Sequence, residues 1–329
     1  MPSRSLFPLV LAAVLLAGCG TAPPAPAGPG STGVPGSTAV APSATPPAPS
    51  SSTPVAPPPS APPASELPRG GRELFPRYRL FGYSGYPGAP GQGRLGIGSL
   101  DARMKEIEQR GQAWRGGRTL LPVMELIAVT VHGSPGRDGM YRSRTSEAII
   151  KRWHDAATRH KALLLLNIQP GRADFIDEVK HFEKWLKYPN VGVALDPEWA
   201  VGKGQVPGRV FGSTTGRELN DVALYLSQLT AANALPQKVM LFHQLHVTIV
   251  KKPKDLRPQP GVVYINSVDG IGSPGAKVAT FQRVMKTRPS YVHPGFKLFY
   301  SEDVKTGKRL MTAKEVLRLR PQPEYVLFE

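Results

Sequence analysis

From residue 69 onward the chain alternates between two patterns. Apolar runs rich in Leu, Val, Ile, Phe and Tyr occupy residues 78–83, 120–131, 162–169, 191–199, 238–246, 261–268, 296–302 and 324–329. Stretches with apolar residues at helical spacing separate most of them, at 100–111, 145–160, 173–188, 217–233, 276–287 and 312–320. Runs that are apolar on both faces predict strands of a parallel sheet covered by helices. Thr215-Gly-Arg-Glu218 and Thr312-Ala-Lys-Glu315 have the spacing of capping boxes, which start helices.

Eight strand-like runs in a segment of about 260 residues match the size and count of a (β/α)8 TIM-type barrel. The pattern predicts two irregularities. The connection after the fifth run reads as a loop, and no helix follows the eighth run. A doubly wound open sheet is the alternative within the α/β class.

The residues before 69 read differently. Arg4 precedes an apolar stretch at 6–16, followed by small residues and Cys19. That is the layout of a secretory signal peptide, and the stretch is short for a membrane-spanning helix. Leu-Ala-Gly-Cys at 16–19 resembles the bacterial lipobox, whose cysteine is lipidated (palmitate included) and becomes the first residue of the mature protein. Cys19 is the only cysteine, so no intramolecular disulfide is expected. Residues 19–68 are nearly all Pro, Ala, Ser, Thr, Gly and Val. They predict a disordered tether that reaches roughly 150 Å at polyproline extension. The expected organisation is a signal peptide at 1–18, a lipidated tether at 19–68 and one barrel domain at 69–329. Such a protein would be exported and held to the membrane on its extracytoplasmic face, as a monomer.

Lys and Arg number 41 against 24 Asp and Glu, a formal charge of +17. The cations are scattered, and export excludes nucleic acid as a partner. Anionic lipid headgroups and acidic envelope polymers remain.

Candidate chemistry gathers at the ends of the apolar runs. The fourth run ends in Asp196-Pro-Glu198, two carboxylates that a buried strand has no use for. If the strand continued through them, both would point with Gly192 and Ala194, into the barrel mouth. Other run ends add Glu125, Asn167 and Gln169, His243 and Gln244, Asp269, and Tyr300 with Glu302. Tyr83, Tyr86 and Trp199 supply rings. Hydrogen-bonding groups around carboxylates, with aromatic faces nearby, suit a carbohydrate.

An Asp-x-Glu at the end of the fourth barrel strand resembles the catalytic motif of DxE glycoside hydrolases, the lysozyme-like muramidase and chitinase-like barrels. The resemblance implies that Glu198 is the general acid. Asp196 would orient or stabilise the 2-acetamido group of the sugar. The muramidases' first-strand aspartate is absent, since Phe-Gly-Tyr-Ser stands there, and so is the longer chitinase signature. The expected function is carboxylate acid/base hydrolysis of a cell-envelope or environmental polysaccharide. The alternatives are a non-catalytic barrel that binds glycan or acidic polymer, and a metal-dependent phosphodiesterase.

No cofactor and no metal are expected. Gly91-Gln-Gly93-Arg-Leu-Gly96 matches a dinucleotide fingerprint. A loop separates it from the first run, so it reads as a mouth loop. His243 and His246 are three apart and would face opposite sides of a strand, which disfavours a shared ion.

Overall fold

The structure, a computed structural model, describes residues 65–329. The signal peptide, Cys19 and nearly all of the tether lie outside the described residues. Leu67, at the end of the segment read as tether, is already buried in the domain.

Eight parallel strands close into a barrel: β1 Tyr78–Gly85, β2 Thr119–Val131, β3 Leu163–Ile168, β4 Val191–Leu195, β5 Lys238–Gln244, β6 Val262–Val268, β7 His293–Leu298 and β8 Tyr325–Phe328. Each pairs with its sequence neighbours, and β1 pairs with both β2 and β8. Closure removes the open-sheet alternative, because no strand edge is left along the barrel. Helices α1 Leu100–Gly111, α2 Glu147–Arg159, α3 Phe175–His181, α4 Glu183–Leu186, α5 Gly216–Ala232, α6 Pro274–Thr287, α7 Glu302–Gly307 and α8 Ala313–Leu317 lie between strands.

Side-chain caps account for the starts of several helices. Ser99 caps α1 by accepting from the Ala102 N–H. Both capping boxes are present: Thr215 and Glu218 exchange bonds at the start of α5, as do Thr312 and Glu315 at α8. The helical stretch at 173–188 is two helices, broken at Phe182. Between β5 and β6 there is no α-helix. That connection holds the two-residue strand Val250–Lys251, paired with Thr214–Thr215, and a short turn at Pro253–Asp255.

The two-residue period of the strands sorts the core into two regions. One set of positions, among them Leu80, Leu121, Val123, Leu163, Leu165, Ala194, Val239, Leu241, Ile265 and Leu327, fills the barrel interior. Leu67, Leu74 and Tyr78 complete it toward the N-terminal ends of the strands. The alternate positions pack against the helices. Continuing the inward register toward the C-terminal ends leads from these apolar layers to Ser84, Glu125, Asn167, Asp196, His243, Ser267, Lys297 and Glu329. The fold therefore stacks a polar layer on an apolar one.

Close packing fixes one inward glycine. A Cβ at Gly82 would sit 1.9 Å from the Val123 carbonyl oxygen. Gly82→Ala should therefore cost on the order of 3 kcal/mol, since backbone would have to shift. Thr215→Ala should cost about 1 kcal/mol for a lost cap. Urea unfolding of both variants checks this, and equal costs would contradict the close approach at Gly82.

Candidate active site

The polar layer is organised around Glu125 on β2. Its carboxylate accepts from Asn167 Nδ2 at 3.0 Å and from the Tyr325 hydroxyl at 2.7 Å, and meets His243 Nε2 at 3.0 Å. Glu125 and His243 are both fully buried. Burial alone would raise the Glu125 pKa, but the His243 charge and these hydrogen bonds bring it down to about 2. Reciprocally, burial works against the imidazolium, while Glu125 and Asp196 hold the His243 pKa up at about 9. Lys297 lies in the same layer and pairs with Glu329 at 2.7 Å. Ser84 Oγ donates to Glu329 at 2.9 Å.

The remaining carboxylates are less well matched. Asp196 Oδ1 is 3.9 Å from His243 Nε2, and Asp269 Oδ2 is 3.6 Å from His243 Nδ1. Both therefore share a cation that Glu125 already engages more closely. Gln169 Nε2 donates to Asp196 Oδ2 at 3.3 Å. Glu198 has no cationic side chain within 4 Å among the described residues. Its Oε2, like Asp196 Oδ1 and Asp269 Oδ1, is buried without a hydrogen-bond partner. Burial is the first cause raising the pKa of all three, and repulsion adds to it: from Asp196 and Asp269 at Glu198, from Glu125 and Asp269 at Asp196, and from Glu329 at Asp269. Asp196 reaches about 6, and Glu198 is pushed well above the usual carboxylate range.

Glu198 arrives here by a different route from the one its spacing suggested. The strand ends at Leu195, and Pro197–Trp199 forms a single 3-10 turn closed by the Trp199 N–H on the Asp196 carbonyl at 3.1 Å. Proline at the first position fixes φ and removes a strand donor, which ends the extended backbone. Glu198 is thus carried by a turn, and its carbonyl accepts from the Gly212 N–H at 2.6 Å.

Of the other residues named from sequence, Glu125, Asn167, Gln169, His243 and Asp269 join this cluster. Trp199 is half-buried in the turn that holds Glu198. Gln244 has the outward register and accepts from Asn266 Nδ2 at 2.8 Å. Tyr83 is also outward: it packs in the layer between barrel and helices, and its hydroxyl donates to Glu106 at 3.0 Å. Tyr300 packs edge-on to Tyr83, with centroids 6.1 Å apart, so neither ring forms a platform over the carboxylates. Tyr86 is half-buried against the same outer layer. Glu302 opens α7, half-exposed. Its neighbour Asp303 is buried and accepts from the Phe299 and Gly272 N–H groups and from Lys277.

Sequence reasoning missed Lys297, Tyr325 and Glu329. Lys297 and Tyr325 sit within apolar runs, and only the inward register of β7 and β8 reveals them.

The cluster also offers a metal-binding set. Donor atoms of Asp196, His243 and Asp269 all lie within 4.8 Å of one another. Glu125 occupies His243 Nε2, which leaves Nδ1 buried and unpartnered as the available nitrogen. A carboxylate behind a ligating histidine is a common supporting arrangement, and one nitrogen with two oxygens suits a divalent ion.

A separate cavity of about 500 Å³ lies outside the barrel between the start of α1 and α2. Its charges are largely paired, Lys151 with Asp155 at 2.7 Å and Arg159 with Asp101 at 3.1 Å. The glycines of the fingerprint-like loop serve close packing: a Cβ at Gly93 would meet the Ser84 carbonyl at 2.4 Å, and one at Gly96 the Tyr86 carbonyl at 1.9 Å. The unpaired buried carboxylates among the described residues are therefore those of the barrel mouth, not of that cavity. No protein-family model and no curated protein matches the chain.

The shifts fix a pH signature. His243 rises from 6.5 to about 9, so its stabilising contribution is complete below 6.5 and is lost as pH rises to about 9. Glu125 falls from 4.5 to about 2, so its contribution is present above 4.5 and is lost as pH falls toward 2. Glu125→Gln should cost about 3 kcal/mol near pH 6, where it strands a buried imidazolium. It should also flatten the decline in stability between pH 6.5 and 9. Denaturant unfolding across that range checks both, and an unchanged slope would contradict the pairing.

Proposed function

We propose that this protein is an exported, lipid-anchored glycoside hydrolase that acts on an envelope or environmental polysaccharide. The observation that carries the reading is Glu198: a buried carboxyl with no cationic clamp, beside two further carboxylates at the C-terminal mouth of a barrel. In barrels of this kind, catalytic groups stand at the C-terminal ends of strands.

The chemistry follows from the electrostatics. Glu198 retains a proton near neutral pH and gives it to the glycosidic oxygen as the bond from the anomeric carbon breaks. Asp196, with an oxygen close to His243 and the more acidic of the two, faces the positive charge that develops on the sugar. It does so directly or through an acetamido group. Water supplies the hydroxyl to the anomeric carbon, and its proton returns to the carboxylate of Glu198. Glu125 and Tyr325 are positioning residues, because they hold His243 beneath the reacting carboxylates. The Asp-x-Glu resemblance supports the same assignment. Lipidation of Cys19 and the proline-rich tether would give the domain reach from the membrane.

A second reading is metal-assisted phosphodiester hydrolysis. The Asp196, His243 and Asp269 donor set favours it, with the ion polarising a phosphoryl oxygen.

One experiment separates the two. Glycan substrates, peptidoglycan among them, and a chromogenic phosphodiester are each offered to the wild type and to Glu198→Gln, with and without chelator. Hydrolase chemistry predicts that Glu198→Gln lowers turnover by about a hundredfold or more while glycan affinity survives, with no chelator effect. Loss of phosphodiesterase activity on chelation, with no glycan turnover, would establish the second reading instead. Glycan binding without turnover in either protein would mark the barrel as a binding module.

A further inference from the structure

The rim around the site has a composition that the buried chemistry does not use. Large hydrophobic side chains left exposed among the described residues are Ile97, Tyr188, Val210, Phe211, Leu224, Ile271 and Val304. Five of these seven leave from C-terminal strand ends: Ile97 after β1, Val210 and Phe211 after β4, Ile271 after β6, and Val304 in α7 after β7. Only Tyr188 lies toward the opposite end, and Leu224 is on α5. Phe211 and Ile271 are 52% and 51% exposed, although the domain has a large core in which to bury such residues.

These loops are tied together. Thr214–Thr215, just after Phe211, pairs in parallel with Val250–Lys251 of the loop that follows β5. Asp303 of α7 accepts from the Gly272 N–H of the loop that follows β6. The rim loops from β4 to β7 are therefore tied in two adjacent pairs. Exposed cations share these loops: Lys203, Arg209, Lys251, Lys252, Lys305 and Lys308. Their acidic side chains are fewer, with Glu218 and Asp255 exposed and Glu302 half-exposed.

Charge alone does not choose a partner, because the N-terminal end of the barrel is basic too. The apolar side chains do choose. A soluble polyanion offers Phe211, Val210, Ile271 and Val304 nothing to bury into, whereas a bilayer interface takes aliphatic and aromatic side chains while its headgroups meet the lysines. We propose that the β4-to-β7 half of the barrel mouth docks on an anionic lipid surface. The proposal goes beyond glycan hydrolysis and does not require it: the surface is defined by loops that take no part in the chemistry. It would bring the mouth to polymer held at the membrane.

The test uses the full chain with Cys19→Ser, so that no acyl group contributes. It is mixed with vesicles of phosphatidylcholine containing about one-third phosphatidylglycerol, and with pure phosphatidylcholine vesicles. Co-sedimentation is expected with the anionic vesicles and not with the neutral ones. In the same background, Phe211→Ser with Ile271→Ser should weaken vesicle binding by about tenfold or more, since both side chains partition favourably into the interface. Binding to soluble dextran sulfate should stay unchanged in that variant. Lys251→Glu with Lys252→Glu should weaken vesicle binding and make the remainder less sensitive to salt. All four positions are exposed, and thermal melts confirm that the variants fold. Vesicle binding unaltered by the Phe211 and Ile271 changes would overturn the proposal. So would preference for dextran sulfate over vesicles, which would identify a polyanion surface. These readouts involve no turnover, so they stand whether or not the hydrolase reading does.

Discussion

The constraint on which the site depends is an imbalance of charge inside the barrel. Lys297 is engaged by Glu329 and His243 by Glu125. Asp196 and Asp269 stand further from the same histidine, and Glu198 has no cation of its own. Carboxylates in a water-poor interior repel one another strongly unless they are protonated or neutralised by something else. Protons, a positively charged transition state or a divalent ion all answer that need.

The barrel produces this imbalance through its register. Each strand contributes alternate residues to the interior, so one apolar layer and one polar layer are set by the same two-residue period. Leu121 and Val123 lead to Glu125, and Leu163 and Leu165 lead to Asn167. Gly192 and Ala194 lead to Asp196, and Val239 and Leu241 lead to His243. The apolar layers keep water from the underside of the cluster, which strengthens the Glu125–His243 pair. The loops at the open end carry Glu198 and Asp269. The strand axis therefore runs from an apolar part that holds the barrel together to a polar part in which the Glu125–His243 pair is matched and Asp196, Glu198 and Asp269 are not.

Much of this was legible beforehand, and the exceptions have physical causes. Eight apolar runs separated by amphipathic stretches specify a closed barrel, because helices must cover the outside and the strand count suits closure. Position at run ends singles out Glu125, Asn167 and His243, and the two-residue period turns Asp196 inward; in the structure all four stand in one polar layer. That period fails at Glu198, since Pro197 ends the strand and a turn takes over. The tyrosines stand elsewhere than their ring chemistry suggests, because Tyr83 lies between the inward Gly82 and Ser84 and so faces the helices. Lys297 was invisible in an apolar run, where a buried lysine is unexpected until its partner Glu329 is seen to approach from β8. Exposed apolar side chains on the rim loops cannot be distinguished from core residues by composition.

Glu198 holds a proton near neutral pH because burial and the neighbouring Asp196 and Asp269 disfavour its charge more than His243 favours it. Side-chain carboxyl ¹³C NMR of the full chain, with Glu198→Gln to assign the resonance, reads that state directly. The Glu198 carbon is expected to keep the shift of a neutral carboxylic acid near pH 6, above the ordinary glutamate range, and the Asp196 carbon to titrate near pH 6. A Glu198 carboxyl already ionised at pH 5 would contradict that protonated state.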